Sequence, residues 1–542
     1  MIQEEKYIQL EKRIKRLNNI SLSLSSEDDI NVIFELILEE AKYITNADGR
    51  TLYMKNRDGK SMVFEILQND SMNMIAGGTS GKKVKFPNIS LYDESGKPNM
   101  NNVNTYVVHT GQTLNIVDAY EEEGFDFSGT IFMDKKMGYH SQSFLNVPLK
   151  NHENDTIGVM QLINSKNTKT GETQPFTDEM QELVESLASQ AAVALTNKNL
   201  VKELKNLFES FIKLIATAID KKSPYTGGHC ERVPEIAMSL ANAAANTSIG
   251  KFKDFTMSQD ELYELYIASW LHDCGKVATP IHIVDKATKL ETITDRIETI
   301  NTRFEVLKRD LEISMLKKEL HLIKNDNAKE ELKQIKLEYD KKINKLLDEK
   351  IFIRKINFGS EFMHFEDQDR VRKIAKYKWI FDGVEMPLLN ENDVCNLQIS
   401  KGTLTSEERL IINEHINITI DMLEQLPYPK NLKNVPEYAG GHHEKINGEG
   451  YPKGLTGDEM SIQAKIMAIS DIFEALTAKD RPYKKGKKLS EAMKILLDMK
   501  NNNEIDKDLF EIFIRKGVYK KYAEKYLDQD QIDAVDENIL LS

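Results

Sequence analysis

Between Met180 and Ile215 the chain runs without a proline or a glycine, so this stretch reads as one continuous helix. Along it Met180, Leu187, Ala194, Val201, Phe208 and Ile215 recur at the first position of a heptad, with Leu183, Gln190, Asn197, Leu204 and Phe211 at the fourth. Nine of those eleven side chains are apolar, and the two polar ones are amides of the kind that set register in a coiled coil. A helix packed on its own domain is the alternative. The seam passes unbroken from one compositional region into the next, which favours a parallel connecting helix over 180–215 and a homodimer. At 542 residues the chain exceeds a single core, so a domain is expected on each side.

Upstream, residues 20–197 alternate helical and strand-like segments. Apolar residues repeat at helical spacing over 28–43, and short strands at 51–54 and 62–66 flank a turn at Asp58-Gly59. Segments 143–149 and 157–163 read as a hairpin. This is an α+β sensor-sized domain, an antiparallel sheet with flanking helices. Residues 1–19 are charged throughout and read as an amphipathic helix without a signal-peptide core. No run of about 18 apolar residues occurs, so membrane insertion is not expected and a cytoplasmic location is.

Downstream, 213–542 is helical in pattern, with loops that carry His, Asp, Gly and Pro. Within it, 290–399 forms a Lys/Glu-rich insertion interrupted at 324–328, which two long helices in a hairpin explain. A formal net charge of −13 argues against a nucleic-acid polymer as partner. It leaves room for a small anionic ligand, because bound metals and a few cationic side chains reverse the local field. The three cysteines, Cys230, Cys274 and Cys395, have no CxxC spacing. A zinc ribbon and a disulfide framework are therefore not expected.

Five of the eleven histidines fall in short segments of unusual composition. They are His229 in YTGGHCERV, His272 in SWLHDCGK, His415 in INEHINIT, and His442 with His443 in GGHHEKINGEGYP. Asp273 stands beside His272, and Asp471 lies in ISDIFEAL. Imidazole nitrogens and carboxylate oxygens together suit Fe, Mn, Ni or Zn, and carboxylates bridge pairs of ions. Seven such side chains are too many for one ion and about right for two. The apolar run YIASWL would bury Asp273, and a buried carboxylate without a cation is costly. Gly275 and Lys276 follow at once, a tight turn that brings an ammonium near the acidic cluster. A lone helical histidine such as His415 is more often structural, and His109, His140, His152, His282, His321 and His364 sit in ordinary contexts.

HDCGK, residues 272–276, resembles the signature of the HD superfamily of metal-dependent phosphohydrolases. HHEKINGEGYP, residues 442–452, resembles the second signature of its HD-GYP branch, the cyclic di-GMP phosphodiesterases. TGGH at 226–229 and DIFEALTAKDRPYK at 471–484 match the approach and closing segments. The resemblance implies a bundle of α-helices around two divalent ions, with Fe or Mn favoured. One ion would be held by His229, His272, Asp273 and Asp471, the other by His415, His442 and His443, with Asp273 bridging. Two ions so placed clamp a phosphodiester for in-line attack. Lys276, with Asp273 the expected catalytic pair, would neutralise charge on the phosphoryl oxygens, and Arg481 and Lys484 would contact substrate phosphates.

In the GYP loop, Gly448 and Gly450 permit close approach to a ligand or a positive φ. Tyr451 either anchors the loop or lines the substrate cleft, and Glu444 is placed to orient a metal-binding histidine. Some family members carry an acidic residue ahead of the first histidine that supports a third metal. Ser223, Pro224, Tyr225 and Thr226 supply none, so two ions are expected, and Cys274 is expected to be a small buried residue. Substrates for the same machinery include the hybrid cyclic GMP–AMP, and a non-catalytic binding module is the rival of a different class.

The N-terminal domain resembles a GAF domain, a sensor of small ligands, through EEAKYITNADGRTLYM, MGYHSQSFLNVPL, IGVMQLINSKN and PFTDEM. Asn164, Lys166, Phe176, Asp178 and Glu179 resemble the scattered signature of its cyclic-nucleotide-binding members, except that Ser165 intervenes between the Asn and the Lys. These residues are read as support for a pocket whose ligand stays unknown. The absence of cysteine from this domain excludes a thioether-linked bilin there.

Overall fold

The computed structural model describes residues 19–222 apart from 21 and 25, 228–323 apart from 249, 329–479 apart from 360 and 361, and 486–542. The helix expected over 1–19 and the interruption at 324–328 thus fall almost wholly outside the described residues. The chain divides into two units, residues 1–207 and 208–542. Among the described residues no helix is long and apolar enough to cross a membrane.

In the first unit, helix α1 (Ile30–Thr45) starts where Asp29 accepts a hydrogen bond from the Asn31 amide and stops at Asn46, whose φ of 50° turns the chain. Strands β1 (Ala47–Lys55), β2 (Ser61–Asn69), β3 (Met74–Gly77), β4 (Ile89–Ser90), β5 (Leu114–Ile116), β6 (Phe144–Lys150), β7 (Thr156–Lys166) and β8 (Thr173–Gln174) follow. They form one antiparallel sheet in the order β3-β2-β1-β7-β6-β5, with β4 on β2 and β8 on β7. Alternation along the strands decides which side is core. Leu52, Leu145, Val147, Met160 and Leu162 face α1 and the start of the long helix α2 (Asp178–Lys222). Next to the sheet lies a cavity of about 320 Å³, bordered by Tyr53, Phe64, Asn104, Met133, Phe144 and Gln161. The Asn164 side chain accepts from the amides of Gln142 and Ser143 and donates to the His140 carbonyl. Lys166 pairs with Asp48 at 2.8 Å. These signature residues serve as struts.

Helix α2 extends beyond the expected 180–215 at both ends. Its apolar seam changes partner on the way. Leu187, Ala194 and their neighbours Val184, Ala191 and Leu195 are buried in the sensor core, as in the alternative of a helix packed on its own domain. From Leu200 to Ile215 the large apolar side chains are mostly exposed.

The second unit is built from helices α3 (His229–Ala245), α4 (Gln259–Leu271), α7 (His415–Glu424), α8 (Val435–Gly440) and α9 (Ile462–Thr477), closed by helices over Leu489–Asn501, Lys507–Arg515 and Val518–Tyr526. Between α4 and α7 the insertion carries α5 (Ile297–Leu322) and α6 (Lys329–Asn357). Pairs Lys350–Glu305 and Lys336–Glu319 fix them as an antiparallel hairpin. The insertion has its own core around Phe304, Leu346, Ile353, Val371 and Leu388. It also holds a β-hairpin, β9 (Lys378–Phe381) with β10 (Val384–Pro387), not anticipated from the sequence. Lys289 closes its base: the ammonium, with the residue 1% exposed, donates to the carbonyls of Leu397 and Ile399. Burial pushes that amine down to about 8.

Helix α9 is the centre of this unit, with eleven of its sixteen residues buried. Full burial of side chains such as Phe473, Phe510 and Phe513 contributes about 1.5–3 kcal/mol each. That investment makes α9 a rigid carrier for the polar groups on one of its faces.

Candidate metal centre

Each metal-type side chain comes from the end or inner face of one of these helices. His229 opens α3 after Gly228, whose φ of 83° lets the chain turn into the helix. The capping box of Ser258 and Glu261 starts α4, which ends at His272 and hands the chain to a 3-10 turn over Cys274–Ala278. His415 opens α7, His442 and His443 follow α8, and Asp471 projects from α9.

Two groups result. His229, His272 and Asp273 present ligand atoms within 4.8 Å of one another, and so do His415, His442 and His443. Asp471 joins the first group, with Oδ1 3.2 Å from His229 Nε2 and 3.8 Å from His272 Nε2. Asp273 belongs to both. Its Oδ2 lies 3.2 Å from His229 Nε2 and 3.4 Å from His272 Nε2, while its Oδ1 lies 3.3 Å from His415 Nε2.

Local hydrogen bonds aim the rings. His272 Nδ1 donates to the Ser269 carbonyl at 2.8 Å and His442 Nδ1 to that of Ala439 at 2.5 Å. His415 Nδ1 does the same to Ile412. An Nδ1–H so engaged leaves the Nε2 lone pair facing inward. The Nε2 atoms of His415 and His442 are buried without a hydrogen bond of good geometry. Convergent acceptors of this kind repel one another unless a cation sits among them.

The charges agree. Burial alone would raise the carboxyls of Asp273 and Asp471, yet Lys276 with His272, His229 and His415 holds Asp273, and His229 with His442 and His272 holds Asp471, well below the usual range. Burial would depress His229, but Glu474, Asp273 and Asp471 hold it well above the usual histidine value. A divalent cation displaces such a proton when it binds. Burial drives His443 down to about 4 and His442 well below normal, so both rings are neutral donors. The donor set, imidazole nitrogen with carboxylate oxygen, fits divalent first-row metals.

Around the ligands the structure adds one residue and reassigns others. Glu474 was not anticipated. Its carboxylate accepts from His229 Nδ1 at 2.5 Å and from Arg232 Nε at 2.6 Å. It thus orients the first histidine, the role expected of Glu444. Glu444 instead accepts from the amides of Lys453 and Leu455, which ties the GYP loop into a closed turn. At Gly450 the loop packs on its own backbone: a Cβ there would lie 2.3 Å from the Lys445 amide nitrogen and 2.5 Å from Glu444 Cα. Gly448 has the positive φ, 79°. Tyr451 stacks on His443 with ring centroids 4.9 Å apart, so it anchors a ligand histidine. Lys276 Nζ donates to Asp273 Oδ2 at 2.5 Å. Cys274 is buried, its thiol pushed up to about 11 by burial. Arg481 and Lys484 lie outside the described residues, as do residues 223–226.

A family model for the GAF domain matches residues 29–195, and one for the HD domain matches residues 391–509. The chain thus carries a GAF domain followed by an HD domain, and the HD match begins at residue 391, within the last part of the insertion over 290–399. The 3'3'-cGAMP-specific phosphodiesterase 1 of Vibrio cholerae is 35% identical over 116 residues, 21% of this chain and 26% of that protein. A cyclic di-GMP phosphodiesterase of Pseudomonas aeruginosa is 36% identical over 135 residues, 25% of this chain and 31% of that protein. The chain spans less than a third of the length of either relative. Among solved structures, the GAF domain of an Acinetobacter phosphoenolpyruvate-protein phosphotransferase aligns with a TM-score of 0.26 at 13% identity, over 35% of this chain and 96% of that one.

Proposed function

We propose that this chain is a metal-dependent phosphodiesterase that hydrolyses cyclic di-GMP to linear pGpG and on to GMP, regulated through its GAF domain by a small molecule. The observation that carries this reading is Asp273, whose two oxygens face two separate groups of imidazoles. Two divalent ions, Fe or Mn by the family resemblance, would supply Lewis acidity toward the phosphoryl oxygens and the attacking water. The chain's own residues do the rest. Asp273 ties the two groups together, and Lys276 holds a positive charge beside it for the phosphoryl oxygens in the transition state. Glu474 keeps the His229 ring fixed, and Tyr451 with the Glu444-anchored loop walls the site on the His443 side. Arg481 and Lys484 are assigned the substrate phosphates.

The relatives favour a second substrate as well, since one of comparable identity is named for 3'3'-cGAMP. The deciding experiment is turnover on a panel of cyclic dinucleotides by protein loaded anaerobically with Fe or Mn. About two ions per chain and the highest kcat/KM on cyclic di-GMP are expected, with activity lost on chelation. Preference for cyclic GMP–AMP would transfer the assignment to that substrate. No hydrolysis of any member would leave a non-catalytic binding module.

A second copy of the chain is the proposed partner of the exposed face of α2. Leu200, Val201, Leu204, Leu207, Phe211 and Leu214 are each at least half exposed, a seam spaced for a coiled coil. Leu204→Glu combined with Phe211→Glu is expected to convert a dimer to a monomer in sedimentation, with helical content unchanged. A wild type that sediments as a monomer at all concentrations would remove the proposal.

A further inference from the structure

The last turn of α2 ends against the two segments that deliver Lys276 and His229. Lys222, its final residue, donates from Nζ to three carbonyls of one turn: Lys276 at 3.0 Å, Val277 at 2.5 Å and Thr279 at 2.7 Å. That turn starts at Asp273, where the Lys276 amide donates to the Asp273 carbonyl, the Thr279 amide to the Lys276 carbonyl and the Gly275 amide to Thr419 Oγ1. The ammonium at the helix end satisfies those three carbonyls at once. Two residues earlier Asp220, 8% exposed, accepts from the amide of Gly228, the residue that starts α3 at His229. Asp220, Lys222, Cys230, Asp273 and Lys276 border the same narrow cleft. One turn of helix thus grips, through a cation and an anion, the backbone on which the cationic and the first imidazole groups of the site are mounted.

We infer that Lys222 is a positioning residue for Lys276, and Asp220 for His229, so that the C-terminal turn of the connecting helix sets the geometry of the metal centre. Lys222 touches no reacting group; it acts through the turn. A small rotation or withdrawal of the helix end would shift Lys276 and Asp273 together, which makes this turn the point where a signal carried by α2 enters the site. The kinetic readout rests on the phosphodiesterase reading.

The test compares full-length wild type, Lys222→Met and Lys222→Arg, loaded with Mn. Lys222→Met is expected to lower kcat on cyclic di-GMP about tenfold or more, about 1.4 kcal/mol, with KM within twofold and metal content unchanged. Lys222→Arg keeps a donor for the carbonyls and should recover most of the rate. A role in stability alone would lower the folded fraction without changing kcat per metal-loaded site. Independently of activity, hydrogen exchange at the Lys276 and Thr279 amides should quicken in Lys222→Met while that of α4 stays as in wild type. Unchanged exchange, a kcat within twofold of wild type, or failure of Lys222→Arg to recover the rate would each overturn the inference. A wild type inactive on every cyclic dinucleotide would sink the substrate reading alone, because the exchange comparison still decides the role of Lys222.

Discussion

Asp273→Ala should abolish turnover, by more than about 10³-fold or roughly 4 kcal/mol, and should disturb both groups of ligands at once. Each Asp273 oxygen is within 3.4 Å of imidazole nitrogens, on one side His229 and His272 and on the other His415. No other described carboxylate reaches across. Without it the second group is three imidazoles, which offer a divalent ion no carboxylate oxygen of their own. The first group keeps Asp471, but His229 and Lys276 lose the carboxylate they share. Removing one member of a buried charge cluster leaves the others uncompensated. The comparison is His415→Ala, which spares both carboxylates and should lower the metal content by one ion rather than two. Metal analysis of both variants beside the hydrolysis assay separates the cases. An Asp273→Ala protein that retained two ions and the wild-type rate would overturn the assignment.

The clustered histidines and aspartates were legible in the sequence because such a residue beside glycines and a tight turn has few structural uses. What surrounds them was less so. Glu444 follows His443 directly, yet in a closed loop its carboxylate points back to the amides of Lys453 and Leu455. Adjacency in sequence says nothing about direction there. Glu474 did leave a signal: it stands one helical turn after Asp471, as Arg232 stands one turn after His229, so both pairs share a helix face. The hairpin in the insertion also left one. Asp382-Gly383 lies between KWIF and VEMP with φ of 49° and 76°, the conformation of a two-residue hairpin turn. The seam of α2 shows the limit of periodicity, since a heptad repeat states only that one face is apolar. The sensor core takes Leu187 and Ala194, while Val201 and Leu204 remain exposed.

Gly275→Ala tests whether the two halves of the centre are held together by backbone contact. The Gly275 amide donates to Thr419 Oγ1 at 2.9 Å, so the turn after Asp273 lies flat on the first turn of α7. A Cβ at Gly275 would stand 2.0 Å from the His415 carbonyl oxygen and 2.6 Å from the Thr419 amide nitrogen. Both are main-chain atoms of a helix, so no rotamer change relieves the overlap. The turn and α7 must separate, and His415, the first residue of α7, moves away from Asp273 with it. Overpacking of this kind costs about 1–3 kcal/mol in stability. A displacement of about 1 Å between groups that act on one phosphate costs roughly 10²-fold in rate. Gly275→Ala is therefore expected to fold with a lowered Tm, to bind one ion firmly and the second weakly, and to lose about two orders of magnitude in kcat. Adding Thr419→Ala should not restore activity, because the closest contact is with the His415 carbonyl and not with a side chain. Two firmly bound ions and a rate within threefold of wild type in Gly275→Ala would mean that the spacing between Asp273 and His415 is not what the chemistry depends on.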